Sequence, residues 1–564
     1  MAFSISPGVT VSEVDLTTVV PSVLTTTGAF AGNFAWGPAN QRITVTSETE
    51  LNQRFGNPNG NTYISYFTAA SFLAYGNNLK IVRAVGANTF NADSGANTGL
   101  QIANEDAFEA VYLNANNTNA WGAFVARYPG ALGNSLSVSV ADAASYSGWA
   151  YRGFFPGAPG TSAQAADYGS SNDEIHIIVL DANGQFTGVK NTPLEVFPFL
   201  SKGVGATDSL GNSNYYKNYI FNNSKYVYAM GPVDYANTNA TWDRPISSNT
   251  AYTTIAANTL TMSTGSDSTP DANNYANTFN LFSNPDEVDV SLIITGDAGA
   301  NVIVQQTVID IASTRKDCIA FVSPPQANVI NNSGNEVSGI TAWSAALSRT
   351  SSYAVADSGW KYMFDKYNNV YRWIPLNGDT AGLCVYTDSV RDPWYSPAGF
   401  NRGNLKNVVK LAWNPNKAQR DSLYTLAINP VATFPGQGTV LFGDKTLLNK
   451  PSAFDRINVR RLFIVLEKAI AQASKFSMFE FNDEFTRSQF VSLVTPFLRD
   501  IQGRRGIYDF RVVCDTTNNT PQVIDSNQFV GDIYVKPARA INFIQLNFVA
   551  VRTGVDFTEI VGNF

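Results

Sequence analysis

The sequence predicts a multidomain protein in which a parallel α/β body and an α+β C-terminal unit flank a β-rich insertion. Three observations predict it. The 564 residues exceed what one core organises, given about 150 residues per domain. Hydrophobic residues make up 44% and charged residues only 15%, which supplies ample surface to bury and excludes a disordered chain. The texture also changes along the chain, with regular helix and strand periodicities on either side of a polar stretch rich in Asn, Thr, Ser, Gly and Tyr.

Near the N-terminus, Pro7-Gly8 breaks the chain before a short strand carrying Val9, Val11 and Val14. After a strand at 43–47, Ser47 and Glu50 have capping-box spacing and open a short helix that Gly56 ends. Tyr63, Tyr66, Phe67, Ala70 and Leu73 follow helical spacing over 63–75, before a strand at 79–85. The insertion is placed at 91–285, where 7 basic and 15 acidic residues balance to −8 against −7 for the whole chain, leaving the rest near neutral. Such composition favours short strands and turns. Beyond it, a strand at 288–294, a helix at 302–315 and a strand at 317–322 form a βαβ unit suited to a parallel sheet.

The last hundred residues are strongly patterned. Val459, Leu462, Phe463, Leu466, Ala469, Ile470, Ala473 and Phe476 mark one apolar helix stripe. A second helix, capped by Asn482 and kinked at Pro496, turns Phe490, Leu493, Val494, Phe497, Leu498 and Ile501 inward. Strands are expected at 508–515, 529–535 and 541–551. A final short strand carries Val555, Phe557 and Ile560. The isolated strands at both ends either edge their own sheet or add to the sheet of another copy.

Most enzyme chemistry is excluded. The single histidine, His176, lies within a strand-like apolar run and reads as a hydrogen-bonded or half-exposed strand residue rather than a general base. No second histidine completes a zinc site or a triad. The sequence from Gly438 to Thr446 approaches a phosphate loop, but Asp444 stands between Gly443 and Lys445 and would repel a phosphate. The cysteines Cys318, Cys384 and Cys514 lack metal or redox spacing and read as buried thiols. With 12 basic against 10 acidic residues over 455–539, no nucleic-acid footprint appears. Neither a cofactor nor a metal is implied. No apolar run reaches the roughly 18–20 residues that span a bilayer, and the first basic residue is Arg42, so a secretory leader is not expected.

Several short motifs, taken in order, resemble one family. They are 7–14, Gly28-Ala-Phe-Ala-Gly32 with Trp36-Gly-Pro38, Val45-Thr-Ser47, Arg54-Phe-Gly56 and Ile81-Val-Arg-Ala-Val85 in the N-terminal region. In the C-terminal half they are 382–388, Ser396-Pro-Ala-Gly399, 438–446, 458–463, Phe479-Glu-Phe-Asn482, Phe497-Leu498 and Cys514-Asp515. Together they resemble bacteriophage contractile tail sheath proteins over roughly 1–90 and 286–564.

That resemblance implies a structural motor and not an enzyme. It implies an N-terminal arm (1–25), a subtilisin-like α/β central domain (26–90 and 286–450), an outer insertion (91–285), an inner α+β domain (451–540) and a C-terminal arm (541–564). The inner domain would have Leu462, Phe463, Leu466, Phe490, Leu493 and Phe497 in its helix core. Its sheet would be completed by neighbours' arms through Val9, Val11, Val14, Val555, Phe557 and Ile560. Implied partners are further copies in hexameric rings forming a helical polymer, a tail tube protein, and baseplate and tail terminator proteins, in a virion tail assembled in the bacterial cytoplasm. No direct nucleic-acid contact or membrane insertion is expected. A sheath of a non-viral contractile injection system shares these features. A surface adhesin leaves the C-terminal pattern unexplained, and a hydrolase on a subtilisin-like scaffold lacks a nearby histidine.

Overall fold

The computed structural model describes residues 20, 23–113, 121–233, 241–296, 301–542 and 544–545. Contacts divide the chain after Phe476 into two units, one of residues 20–476 and one that includes the chain from Ser477 onward.

The larger unit is built on a seven-stranded sheet. Its strands are β1 (Gly28–Gly32), β2 (Arg42–Val45), β3 (Leu79–Arg83), β4 (Leu292–Ile294), β5 (Ile319–Val322), β6 (Ala354–Asp357) and β7 (Ile428–Asn429). Their order is β7-β6-β5-β4-β1-β3-β2, and only β2 runs antiparallel to its neighbour. The expected βαβ unit is present, with Leu292 opposite Ile319 in parallel register, although its first strand is shorter than 288–294.

Helices cover both faces: α1 (Glu48–Phe55), α2 (Tyr63–Leu73), α3 (Ala272–Asn280), α4 (Val302–Arg315), α5 (Glu336–Leu347), α6 (Asn377–Val390), α7 (Lys417–Thr425) and α8 (Ile457–Ser474). The Ser47 hydroxyl accepts from Glu50 N–H at 3.2 Å, as the cap spacing predicts. The Glu50 carboxylate reaches one residue further back than a capping box requires, accepting from the N–H and hydroxyl of Thr46. On one face Ala29, Ile293, Val308, Ile309, Trp343 and Phe279 share a core; on the other, Phe30, Phe67, Phe72, Ile294, Phe321, Cys384 and Ile464 do. Burial on both faces explains why these strands read as continuous apolar runs.

Residues between β3 and α3 form an antiparallel layer. Its four-stranded sheet orders Thr192–Ser201, Glu174–Asp181, Leu136–Asp142 and Asn258–Thr261. Phe124–Ala126 pairs separately with Val227–Ala229. Leu136, Val138, Ile175, Ile177, Val179 and Phe197 fill its core. The excursion closes where Phe90 and Ser266 exchange both backbone hydrogen bonds, at 3.0 and 3.2 Å. Helix α3 lies within 91–285, yet it packs on α4 and β1, and its Phe279 is fully buried in the central core.

In the smaller unit α9 (Glu484–Gly503) packs on the strand Ile507–Val513, which pairs antiparallel with Asp532–Pro537. The N-cap is Asp483, whose carboxylate accepts from Thr486 N–H at 2.8 Å, and not Asn482 as expected. Asn482 is drawn instead to the carbonyl of Gln528 at 2.8 Å and to Arg487. The helix continues through Pro496, which sits on an exposed side. There the missing N–H leaves a carbonyl facing water.

Candidate assembly surfaces

Open parallel sheets hold ligands outside the carboxyl ends of their strands, where the strand order reverses. Here that place lies between β1 and β4. Beside it, across the ends of β4 and β5, stands the side chain of Asn377, the first residue of α6. The Asn377 amide donates to the carbonyl of Gly296 and the hydroxyl of Ser323, both at 3.0 Å, and its oxygen accepts from Gly296 N–H at 3.1 Å. The Ser323 hydroxyl donates to Asp357 at 2.6 Å, and the other Asp357 oxygen accepts from Gly359 N–H at 2.9 Å. Burial pushes the Asp357 carboxyl up to about 8 against the pull of these hydrogen bonds. Asp379 pairs with Lys361 at 2.8 Å, both fully buried. Asn377, Ser323 and Asp357 satisfy one another, which makes their network structural.

The other chemistry-bearing residues are likewise occupied. His176 is fully buried; its Nε2 lies 2.8 Å from the carbonyl of Gly157, its Nδ1 accepts from Phe199 N–H, and its ring stacks on Phe155 at 4.3 Å. Burial lowers its pKa and holds it neutral. Asp444 accepts from Ser396 and Arg456, and Lys445 donates to the carbonyl of Tyr424, so 438–446 forms a strand and loop knitted into the body. Among the described residues no group of His, Cys, Asp and Glu could hold a metal, and no helix is long and apolar enough to cross a membrane.

The smaller unit presents the opposite chemistry. Its described sheet has two strands, with α9 packed against the first of them. Large apolar side chains lie bare along it: Met478, Phe479, Phe481 and Phe485 before and within the first turn of α9, Tyr508 and Tyr534 on the sheet, and Ile541 and Ile544 beyond it. Phe479 is 101% exposed. Four of these side chains, Met478, Phe479, Phe481 and Phe485, fall within eight residues of chain, and such exposed apolar side chains are suited to an interaction site.

Among the predicted assembly residues, Val9, Val11, Val14, Val555, Phe557 and Ile560 lie outside the described residues, as does most of 541–551. Leu462 and Leu466 are buried on α8, and Phe463 packs edge-on against Phe454 at 4.8 Å. Phe490 is buried on α9 against Phe529 at 5.4 Å, while Leu493 and Phe497 are half-buried. The first three belong to the larger unit and the last three to the smaller. Phe476, read as the end of the α8 stripe, is 78% exposed, because the helix stops at Ser474 and a tighter turn at Lys475–Ser477 rotates it outward. The exposed run of phenylalanines was readable only as a motif, since spacing does not distinguish an apolar residue that packs from one that is bare.

Large exposed apolar side chains on the smaller unit have the chemistry of a surface that associates with another protein surface. The family model described as phage tail sheath protein central domain matches residues 265–447, and that described as phage tail sheath C-terminal domain matches 449–550. The tail sheath proteins of Vibrio phage KVP40 and Enterobacteria phage T4 are 36% and 33% identical, each over 99% of this chain and 100% and 99% of their own lengths. The contracted helical sheath of the anti-feeding prophage shares the fold, with a TM-score of 0.53 at 12% identity over 97% of this chain and 99% of its own. The chain belongs to the phage tail sheath protein family.

Proposed function

We propose that this chain is the repeating subunit of a bacteriophage contractile tail sheath, polymerising around a tail tube and contracting to drive it through the host envelope. The observation that carries the reading is the bare apolar surface on the smaller unit. A lone subunit would leave that surface in water, and association buries it at about 25 cal/mol per Å² of apolar area. Further strands from the terminal arms of neighbouring copies would complete the two-stranded sheet, with main-chain hydrogen bonds supplying affinity and alternate side chains register. Subunits would stack as hexameric rings, with baseplate and terminator proteins at the ends. The parallel body would be the subtilisin-like domain, used as a rigid block without catalysis, and the antiparallel insertion would face solvent.

Strand-paired arms keep neighbours connected while rigid bodies rotate and slide. Contraction then exchanges a smaller buried interface for a larger one, and the difference, modest per subunit, sums over the polymer. No nucleotide is required. The phage origin of the full-length relatives favours a virion over a non-viral injection system. Deleting residues 555–564 tests the reading: the expected product is folded and soluble but forms no tubes by negative-stain microscopy, whereas tubes of normal length would refute arm exchange.

A further inference from the structure

On the arm-exchange reading, residues 24–27 are the root from which an N-terminal arm would leave the body. Residues 24–27 are tied to three elements. The carbonyl of Leu24 accepts from the Ser291 hydroxyl at 3.0 Å. The carbonyl of Thr27 accepts from the N–H groups of Ser291 and Leu292 at 2.9 and 3.1 Å, and the Thr27 hydroxyl accepts from the Asn78 amide at 3.0 Å. Between them, the Thr25 hydroxyl donates to Asp388 Oδ2 at 2.6 Å across 363 residues of sequence.

Asp388 lies near the C-terminal end of α6 and is already engaged from the other side. Arg461 of α8 grips it with two nitrogens, at 2.8 and 2.6 Å, and the two side chains are only 4% and 6% exposed. Two turns further along α8, Lys468 donates to the Ser291 hydroxyl at 3.2 Å and pairs with Asp289 at 2.7 Å. One face of α8 thus reaches the arm root twice, through Asp388 and through Ser291. A bidentate arginine–carboxylate pair has a fixed planar geometry, so the acceptor offered to Thr25 has a defined direction.

We propose that Asp388, oriented by Arg461, is the positioning residue that sets where the N-terminal arm leaves the body and passes tension from the arm into α6 and α8. The proposal rests on the arm-exchange reading. Without the Thr25 contact, the arm would pivot from residues 26–27, and its strand would meet the neighbour with less defined register.

Thr25→Val removes the hydroxyl donor at nearly constant volume and leaves the Arg461–Asp388 pair intact. Thr25→Ser keeps the donor. The full-length chain, both variants and a deletion of residues 1–19 are compared by the critical concentration for tube formation, using sedimentation and negative stain, and by the melting temperature of the unpolymerised subunit. Thr25→Val is expected to raise the critical concentration about tenfold, the scale of one hydrogen bond to a charged group. Its melting temperature should be unchanged, Thr25→Ser should assemble as the native chain does, and the deletion should abolish tubes. Normal assembly of Thr25→Val beside a failed deletion overturns the clamp alone. A lowered melting temperature in Thr25→Val, or failure of Thr25→Ser to assemble, also overturns it, since the contact would then serve folding. Normal tubes from the deletion overturn the arm reading itself.

Discussion

Helices α2 and α6 approach so closely that a single methyl group decides their packing. A Cβ on Gly378 would stand 2.5 Å from the carbonyl oxygen of Thr68 and 3.1 Å from its Cγ2. Four residues on, a Cβ at Gly382 would meet the Tyr75 ring at 2.4 Å. In Gly378→Ala two effects compete. Alanine favours the helix by up to about 1 kcal/mol, while overpacking a tight core costs about 1–3 kcal/mol. The steric effect wins because the obstructing atom is backbone in the interior of α2 and has no rotamer to change. Relief requires the helices to separate, which loosens Ala381, Cys384 and Val385 from Phe67 and Ala70 in the shared core. A net loss of about 2 kcal/mol lowers the melting temperature by about 2–4 °C in a unit of this size, at about 2.1 cal/mol/K of unfolding entropy per residue. Scanning calorimetry of the unpolymerised subunit reads it. Gly60→Ala, whose Cβ would meet nothing within 4 Å, serves as the control. A melting temperature equal to or above the native value in Gly378→Ala would refute the reasoning.

The remaining predictions concern pH, the insertion and the bare surface. Asp357 holds its proton to about 8 in the folded chain against the ordinary aspartate value of 3.8, so its contribution is complete below the lower value and is lost as pH rises through the higher one. Buried His176 acts oppositely, destabilising as pH falls below 6.5, so the fall between pH 6.5 and 8 isolates Asp357. Asp357→Asn should flatten it, with about 1.4 kcal/mol per unit as the ceiling, and equal slopes for both proteins would count against the assignment. Replacing residues 91–265 by a short turn should preserve folding and tube formation, because Phe90 and Ser266 already pair, whereas removing 91–285 takes Phe279 and Phe282 from the central core and should give insoluble protein. Comparable solubility of the two deletions would show that α3 is dispensable. Phe479→Ser with Phe481→Ser should leave the subunit's melting temperature within about 1 °C, since exposed sites are worth less than about 0.5 kcal/mol, while reducing tube yield; normal yield would remove that surface from assembly.

Local signals were legible wherever the physics is local. Helix α8 spans Ile457–Ser474, close to the apolar periodicity that predicts it, because side chains three and four apart share a helix face whatever the tertiary context. Ser47 caps α1 and Gly56 ends it with φ of 75°, as expected of a hydroxyl acceptor and a residue without a Cβ. Asn482 is not the cap because its neighbour Asp483 offers the same chemistry one position on, while Asn519, the carbonyl of Gln528 and Arg487 engage the Asn482 side chain.

What the sequence by itself determined is the mixed α/β character, the polar insertion, the patterned C-terminal helices and the poverty of catalytic groups, all properties of composition and short-range spacing. Only the tertiary structure decided that α3 belongs to the central core, that Phe476 faces solvent, that Asn377 links the ends of β4 and β5, and that Thr25 meets Asp388. Each of these depends on residues far apart in the chain occupying one dry volume. Which polar groups satisfy one another there is set by three-dimensional packing and leaves no period in the sequence.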